Sequence, residues 1–198
     1  MTRLLVASRN AKKLAELRRI LAGAGIEVVG LADVPEFPEA PETGATFEEN
    51  ALAKARDAVA ATGLPTVADD SGIAVDALNG MPGVLSARWA GGAKDDAANL
   101  NLVLEQVADV PDERLTAAFV CAAALVRADG THEVVRGEWP GRLVRKPRGT
   151  NGFGYDPIFV PEGETRTSAE LAAEEKDTIS HRGRALTQLV PHLRALSG

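Results

Sequence analysis

The chain opens with an apolar stretch, Arg3 to Ala7, of a length that predicts one buried strand, and breaks at the polar run Ser8-Arg9-Asn10. Leu14, Leu17, Ile20 and Leu21 recur at helical spacing, and Gly23 and Gly25 end the helix they predict. Glu27 to Leu31 reads as a second strand. Asp33 to Ala45 carries three prolines and four acids without periodicity and predicts a loop. Thr46-Phe47-Glu48-Glu49 has the form of a capping box, opening a helix that runs to Thr62 with Gly63 past its end.

Thr66-Val67-Ala68 predicts a short strand running into Asp69-Asp70-Ser71-Gly72. Ile73 to Leu78 predicts another, before the turn Asn79-Gly80-Met81-Pro82-Gly83. Asp95 caps a helix carrying Leu100, Val103, Leu104 and Val107. The long apolar segment Leu115 to Arg127 turns at Ala128-Asp129-Gly130-Thr131 into His132 to Trp139, an antiparallel pair. Arg145 to Pro157, rich in glycine and basic residues, reads as a loop, and Ile158-Phe159-Val160 as a strand. Helices fill Ser168 to Glu174 and Ser180 to Leu196, where Pro191 is placed to kink or shorten the last one. Strand–helix units mixed with an antiparallel hairpin predict one α/β domain over residues 1–198, with a central mixed β-sheet flanked by helices.

Composition narrows the setting. Of 198 residues, 45% are apolar and 25% charged, as in ordinary globular proteins. No apolar run approaches the roughly 18 residues of a membrane span, and the N-terminal apolar stretch is too short for a signal peptide. Cys121 is the single cysteine, which excludes an internal disulfide and fits a buried small hydrophobe; a cytoplasmic setting is the expectation. The net charge of −6 gives no support for a nucleic-acid surface, so cations serving an anionic ligand must be gathered locally.

Four segments carry candidate chemistry, and each also has a plainer explanation. Ser8-Arg9-Asn10-Ala11-Lys12-Lys13 joins a strand to a helix start, where free N–H groups and Lys13 suit phosphate; taken alone it reads first as an N-cap with a solvated basic turn. It is neither a Walker loop nor a Rossmann fingerprint. Glu42, Glu49, Asp69 and Asp70 are acids that make sense beside an anion site only with a cation between, for which magnesium is suited; otherwise Asp-Asp-Ser-Gly is turn chemistry and Glu49 belongs to its capping box. In Gly149 to Pro157, three glycines permit close backbone approach and Phe153 and Tyr155 can stack on a base, or both rings tuck into the core. At Ser180-His181-Arg182, with Lys176 upstream, Arg182 offers a planar donor fork to a carbonyl or phosphate, or simply a solvated helix face.

Taken in order, these segments resemble the inosine/xanthosine triphosphate pyrophosphatase family. The resemblance runs from Ser8 to Leu186 through Ser8-x-Asn10-x-x-Lys13, Glu42-Thr43-Gly44, Phe47-x-Glu49-Asn50-Ala51, Lys54-Ala55, Ala68-Asp69-Asp70-Ser71-Gly72, Pro82-Gly83-x-x-Ser86-Ala87-Arg88, Gly152-Phe153-Gly154-Tyr155-Asp156-Pro157 and Ser180-His181-Arg182-x-x-Ala185-Leu186. A threonine is commoner in the family where Ser8 stands, and the hydroxyl is kept.

The resemblance implies an elongated α/β fold of two lobes with a cleft between them, a homodimer, and magnesium-assisted attack of water on the α-phosphorus of ITP, dITP or XTP, releasing the monophosphate and pyrophosphate. It implies that Ser8, Asn10 and Lys13 hold the triphosphate, with Lys54 and Ser71 as further substrate contacts and Lys13 also assisting catalysis. Asp70 is implied as general base and metal contact, and Glu42 as the other metal carboxylate. For Asp69 and Glu49 a direct metal contact stays open. Phe153, Gly154, Tyr155, Asp156, Lys176, His181 and Arg182 match the base-recognition positions. The alternative is a non-catalytic nucleotide-binding or sensor protein, which needs the loops but not Glu42 and Asp70 together. A related pyrophosphatase of septum-inhibition type, acting on modified pyrimidine nucleotides, is argued against by His181-Arg182. Nucleic-acid and membrane partners are not expected.

Overall fold

The first strand, β1 (Arg3–Val6), is a run of Leu and Val with three successive buried residues, as a strand covered on both faces requires. It pairs in parallel with β2 (Glu27–Gly30) from Arg3↔Glu27 to Val6↔Gly30, and with β3 (Thr66–Val75) at Leu5↔Thr66 and Val6↔Val67. The computed structural model describes residues 3–20, 22, 25–39 and 41–196. Leu21 and Gly23, expected at the end of the first helix, lie outside the described residues, as does Ala40 in the acidic loop.

Helix α1 (Ala11–Ile20) starts where Asn10 Oδ1 accepts the N–H groups of Lys12 (3.0 Å) and Lys13 (3.2 Å). Helix α2 (Phe47–Thr62) starts on Thr46, whose Oγ1 accepts from the Glu49 N–H at 3.1 Å, and ends at Gly63 in the left-handed region. The capping box closes differently from the expectation: Glu49 Oε2 reaches one residue further back, to the Ala45 N–H at 2.7 Å. Helix α3 (Asp96–Gln106) is capped by Asp95, as the pattern predicts.

The two strands expected on either side of Asp69-Asp70-Ser71-Gly72 are one strand. β3 runs unbroken from Thr66 to Val75, and only Ser71 and Ala74 along it are less than fully buried. Turn propensity is overridden because both aspartates find partners in the interior, so the backbone need not leave the sheet. Residues 76–78, expected as strand, form a 3-10 turn, and within the expected turn the two-residue β4 (Met81–Pro82) pairs antiparallel with β3.

β5 (Thr116–Val126) and β6 (His132–Leu143) are joined through the Arg127–Thr131 turn, and Leu143 N bonds Leu115 O at the far end, so they run antiparallel as the pattern predicts. β7 (Phe159–Pro161) pairs antiparallel with β6. The expected Ser168–Glu174 helix is a 3-10 turn at Ser168–Glu170 followed by a separate α4 (Ala173–Ile179). Helix α5 (His181–Arg194) continues through Pro191. Among the described residues the sheet holds seven strands in the order β2-β1-β3-β5-β6-β7, with β4 beside β3.

Two compact units share these strands. One comprises Met1–Asp70, Cys121–Gly137 and Arg182–Gly198; its core gathers Leu4, Val6, Leu17, Val67, Cys121, Ala123, Leu125, Leu186 and Leu189. The other comprises Ser71–Val120 and Glu138–His181, around Ile73, Val75, Val103, Phe119, Trp139, Tyr155 and Phe159.

Candidate active site

In the first unit, β3 presents Asp69 and Asp70 to opposite faces, since successive strand side chains alternate. Asp70 is 5% exposed. Its Oδ2 accepts from Asn50 Nδ2 at 2.9 Å, and its Oδ1 lies 3.8 Å from Lys54 Nζ. Lys54 Nζ sits 2.7 Å from Glu42 Oε1, so one ammonium is shared by the two carboxylates expected to serve a metal. Burial raises the pKa of Asp70; Lys54 and Asn50 pull it back, Glu42 pushes it up again, and the net direction is up. For Lys54, burial opposes the charge but Asp69, Asp70 and Glu42 outweigh it, so its pKa stays above the ordinary value.

Asn50 organises this corner. Besides holding Asp70, its Oδ1 accepts the Gly44 N–H at 2.8 Å, pinning the segment that carries Glu42. A Cβ at Gly44 would come within 2.6 Å of that oxygen, so the close approach needs glycine. The sequence reading gave Asn50 no role. Its signal was a polar side chain on the face of α2 that carries Phe47, Ala51 and Ala55 inward.

Asp69, 3% exposed, serves other partners. Its Oδ2 lies 3.0 Å from Lys13 Nζ and 3.3 Å from Arg182 Nε, with Cys121 Sγ at 4.0 Å. Arg182 is 1% exposed, and its Nη1 donates to Glu16 Oε2 at 2.5 Å. Burial opposes the guanidinium charge, and Glu16 and Asp69 more than offset it, so its pKa is held above the ordinary arginine value. Removing one member of such a buried pair typically costs about 3–5 kcal/mol, because the other charge is left unpaired. Glu16 escaped the sequence reading. Lys13, Glu16, Leu17 and Ile20 fall at i, i+3, i+4 and i+7, which places an acid inside the apolar stripe of α1.

Ser8 and Asn10 stand at the start of α1. Ser8 Oγ accepts the Asn10 N–H at 3.3 Å, and Asn10 Oδ1 caps the helix, so these two oxygens act as acceptors in the local structure. Lys13, with its side chain 16% exposed, keeps a path to a ligand while paired to Asp69.

In the second unit, Ser71 is half-buried, and the glycine loop is built around Asp156. That carboxylate, 2% exposed, accepts from the Phe153 N–H (2.9 Å), Ser168 Oγ (2.7 Å) and Lys176 Nζ (2.7 Å). Gly152 has φ +72°, and a Cβ there would collide with the Asp156 carboxylate. Phe153 is half-buried, with Lys176 Nζ 5.7 Å from its ring centroid. Tyr155 belongs to the core: its OH donates to Ser86 O at 2.7 Å, and burial pushes its pKa well up. Gly154 N–H donates to Asp96 Oδ2 at 2.9 Å. His181 is stacked on Phe119 (4.8 Å, 13°) and beside Trp139 (6.3 Å, 17°). Phe153 is thus the ring of the loop with a partly open face, and Asp156, Lys176 and Ser168 fix its backbone.

Asp70, Glu42, Lys54, Asp69, Lys13 and Arg182 therefore lie within one unit, and Phe153, Gly154, Tyr155, Asp156, Lys176 and His181 within the other. Among the described residues, no group of three or more His, Cys, Asp or Glu side chains converges as a ready-made metal cage. Glu42 and Asp70 form a two-carboxylate set on a shared cation. That donor set fits a hard divalent ion that keeps waters and takes its remaining ligands from phosphate.

A buried carboxylate beside a lysine-bridged acid, with a second lysine nearby, is an arrangement whose charges suit a phosphorylated ligand. The Ham1 family model matches residues 4–192. A dITP/XTP pyrophosphatase from Nocardia farcinica is 70% identical over 200 residues, covering 100% of this chain and 97% of its own. The crystal structure of a nucleoside-triphosphatase / dITP/XTP pyrophosphatase from Mycobacterium abscessus is 64% identical with a TM-score of 0.78, over 96% of this chain and 100% of that one. A HAM1 protein from Coxiella burnetii is 44% identical with a TM-score of 0.86, over 98% of both chains. This chain belongs to the Ham1 family, and its mixed α/β fold is that of Ham1 structures. No helix among the described residues is long and apolar enough to cross a membrane.

Proposed function

We propose that this protein hydrolyses deaminated purine nucleoside triphosphates (ITP, dITP and XTP) to the monophosphate and pyrophosphate. Family membership and its 60–70% identical relatives, named dITP/XTP pyrophosphatases, support the reaction. The observation that carries the reading at the level of this chain is Asp70: a carboxylate buried in a strand, held by Asn50 and Lys54, with a pKa raised by burial. A carboxylate so held is an apt proton acceptor for an attacking water.

In this reading Asp70 takes the proton of water as it attacks the α-phosphorus. Lys13, with Ser8 and Asn10 at the helix start, binds the triphosphate and balances charge growing on the leaving pyrophosphate. Lys54 holds Glu42 and Asp70 in place and adds a cation near the phosphates, and Ser71 continues the strand beside them. Glu42 and Asp70 would hold magnesium, which when bound supplies charge neutralisation at the phosphates. Phe153, on a backbone fixed through Gly154, Tyr155 and Asp156, supplies a stacking face. The family resemblance assigns Lys176, His181 and Arg182 to a purine bearing a C6 carbonyl; Lys176 is held by Asp156 and Arg182 by Glu16 and Asp69, so a direct bond to the base requires them to exchange those partners. Adenine, with an amino group at C6, would set donor against donor. A homodimer, implied by the family resemblance, completes the proposal.

The test is a substrate panel with magnesium: ITP, dITP and XTP against ATP, GTP, CTP and UTP. The reading requires kcat/KM for the deaminated purines to exceed that for ATP by roughly 10⁴-fold, the size expected when a polar edge is mismatched. Equal activity on ATP contradicts it. Binding of ITP with no pyrophosphate released identifies a sensor instead.

A further inference from the structure

We propose that Asp96, in the first turn of α3, is a positioning residue for Phe153: by accepting the Gly154 N–H it fixes the peptide that follows the ring, and with it the face offered to a base. The inference rests on the reading above, in which Phe153 stacks on the purine.

The glycine loop is tied down on either side of Phe153. The Asn151 N–H donates to Ala169 O at 3.0 Å, Asn151 Nδ2 to Leu171 O at 2.9 Å, and the Tyr155 OH to Ser86 O at 2.7 Å. Between these anchors the Phe153 N–H donates to Asp156 Oδ2 at 2.9 Å, and the Phe153 carbonyl accepts the Asp156 N–H at 3.3 Å. The Gly154 N–H goes instead to Asp96 Oδ2, at 2.9 Å and across 58 residues. Asp156 belongs to the loop's own turn, whereas Asp96 comes from a separate element. A peptide unit is planar, so the Phe153 carbonyl and the Gly154 N–H turn as one body. Asp156 and Asp96 therefore hold opposite edges of a single plane. Gly154 has φ +61°, in the left-handed region where glycine turns freely, so that plane is where the loop most needs an outside tether.

The start of α3 is a firm platform for such a tether. Asp95 Oδ1 caps the helix by accepting the Ala98 N–H at 2.9 Å. Asn99, 1% exposed, accepts the Ala90 N–H at 2.6 Å and donates to Ala87 O at 3.1 Å. Leu100 and Val103 are buried in the core of the unit that also carries the loop. Asp96 is itself exposed, and the cap falls to Asp95. What the Asp96 carboxylate adds is a charge at the positive end of the helix dipole and the bond to Gly154. Without that bond the Phe153–Gly154 peptide turns about the glycine, and each base that binds must first order the ring, at a cost in affinity. The phosphates, read by residues of the other unit, do not share this cost.

Asp96 acts through Phe153 in this account, so its test separates that route from helix stability. Calorimetry on the intact protein in magnesium buffer measures inosine and pyrophosphate binding. Asp96→Ala should weaken inosine about fivefold, the size of one hydrogen bond, and leave pyrophosphate unchanged. In steady-state hydrolysis of ITP the same loss should appear in KM, with kcat changed by less than about twofold. Asp96→Asn keeps an acceptor oxygen without the charge and should retain most of the wild-type affinity. If Asn behaves as Ala, the charge at the helix start is what matters, and the inference is overturned. A double-mutant cycle tests the route itself: in Phe153→Leu, Asp96→Ala should have no further effect on inosine. An equal loss in both backgrounds overturns the inference, as does an equal loss of inosine and pyrophosphate. Unchanged inosine affinity and KM in Asp96→Ala overturn it while leaving the proposed function intact. A wild type that neither binds inosine nor hydrolyses ITP defeats the functional reading, and the inference falls with it.

Discussion

Asn50, in the first turn of α2, donates from Nδ2 to Oδ2 of Asp70 at 2.9 Å, across a sequence separation of 20 residues. The same amide takes the Gly44 N–H on its oxygen, so one side chain fixes both the central carboxylate and the segment bearing Glu42. A hydrogen bond to a charged group is worth about 1.5–3 kcal/mol. Asn50→Ala should therefore lower kcat/KM for ITP by roughly 10–100-fold, at about tenfold per 1.4 kcal/mol. Activity within twofold of wild type would remove Asn50 from the site.

Asp70→Asn should separate activity from stability. Turnover should fall on the order of 10²–10⁴-fold, as for loss of a general base. The fold should not suffer. Asp70 has a pKa raised above its unfolded value, chiefly by burial, so its stabilising contribution belongs to the protonated form. That contribution is present below the unfolded pKa and lost as pH rises through the folded one. At pH 8 the ionised carboxylate weighs against folding, and the neutral amide relieves this. Thermal melts at pH 8 should place Asp70→Asn at or above wild type; a melt several degrees lower would make Asp70 a structural residue.

The same shift has a direct spectroscopic reading. In metal-free protein, a ¹³C carboxyl titration of Asp70 should give a midpoint above 3.8, and Asn50→Ala should move it further up, because the Asn50 donor favours the ionised form. A midpoint below 3.8 would show that Lys54 and Asn50 dominate over burial.

Gly152→Ala tests the loop. The φ of +72° and the Asp156 carboxylate against the glycine leave no room for a methyl group. Strain of about 1–3 kcal/mol is expected, displacing Phe153 and Lys176. Inosine binding should weaken roughly tenfold or more while pyrophosphate binding, in the other unit, changes little. Equal loss of both would show general unfolding.

Much of this was legible beforehand because the signals are local. The Thr46 and Asp95 caps, the Gly63 stop and the β5–β6 hairpin each follow from a few adjacent residues. Asp69-Asp70-Ser71-Gly72 was misread as a break between strands, because its turn propensity is cancelled by Asn50, Lys13 and Arg182, which come from other elements. Glu16 was missed for the same reason: an acid in an apolar stripe is explained only by its partner 166 residues away. For Tyr155 the sequence leaves stacking on a base and burial in the core both open; it lies in the core with its hydroxyl on Ser86, a contact that sequence spacing does not reveal.

The proposed reaction requires water to attack the α-phosphorus. Hydrolysis of ITP with magnesium in ¹⁸O-labelled water, with the products resolved by mass spectrometry, tests it most directly. The account predicts one ¹⁸O in inosine monophosphate and unlabelled pyrophosphate. Label in pyrophosphate, or release of labelled orthophosphate, would place the attack at another phosphorus and contradict it.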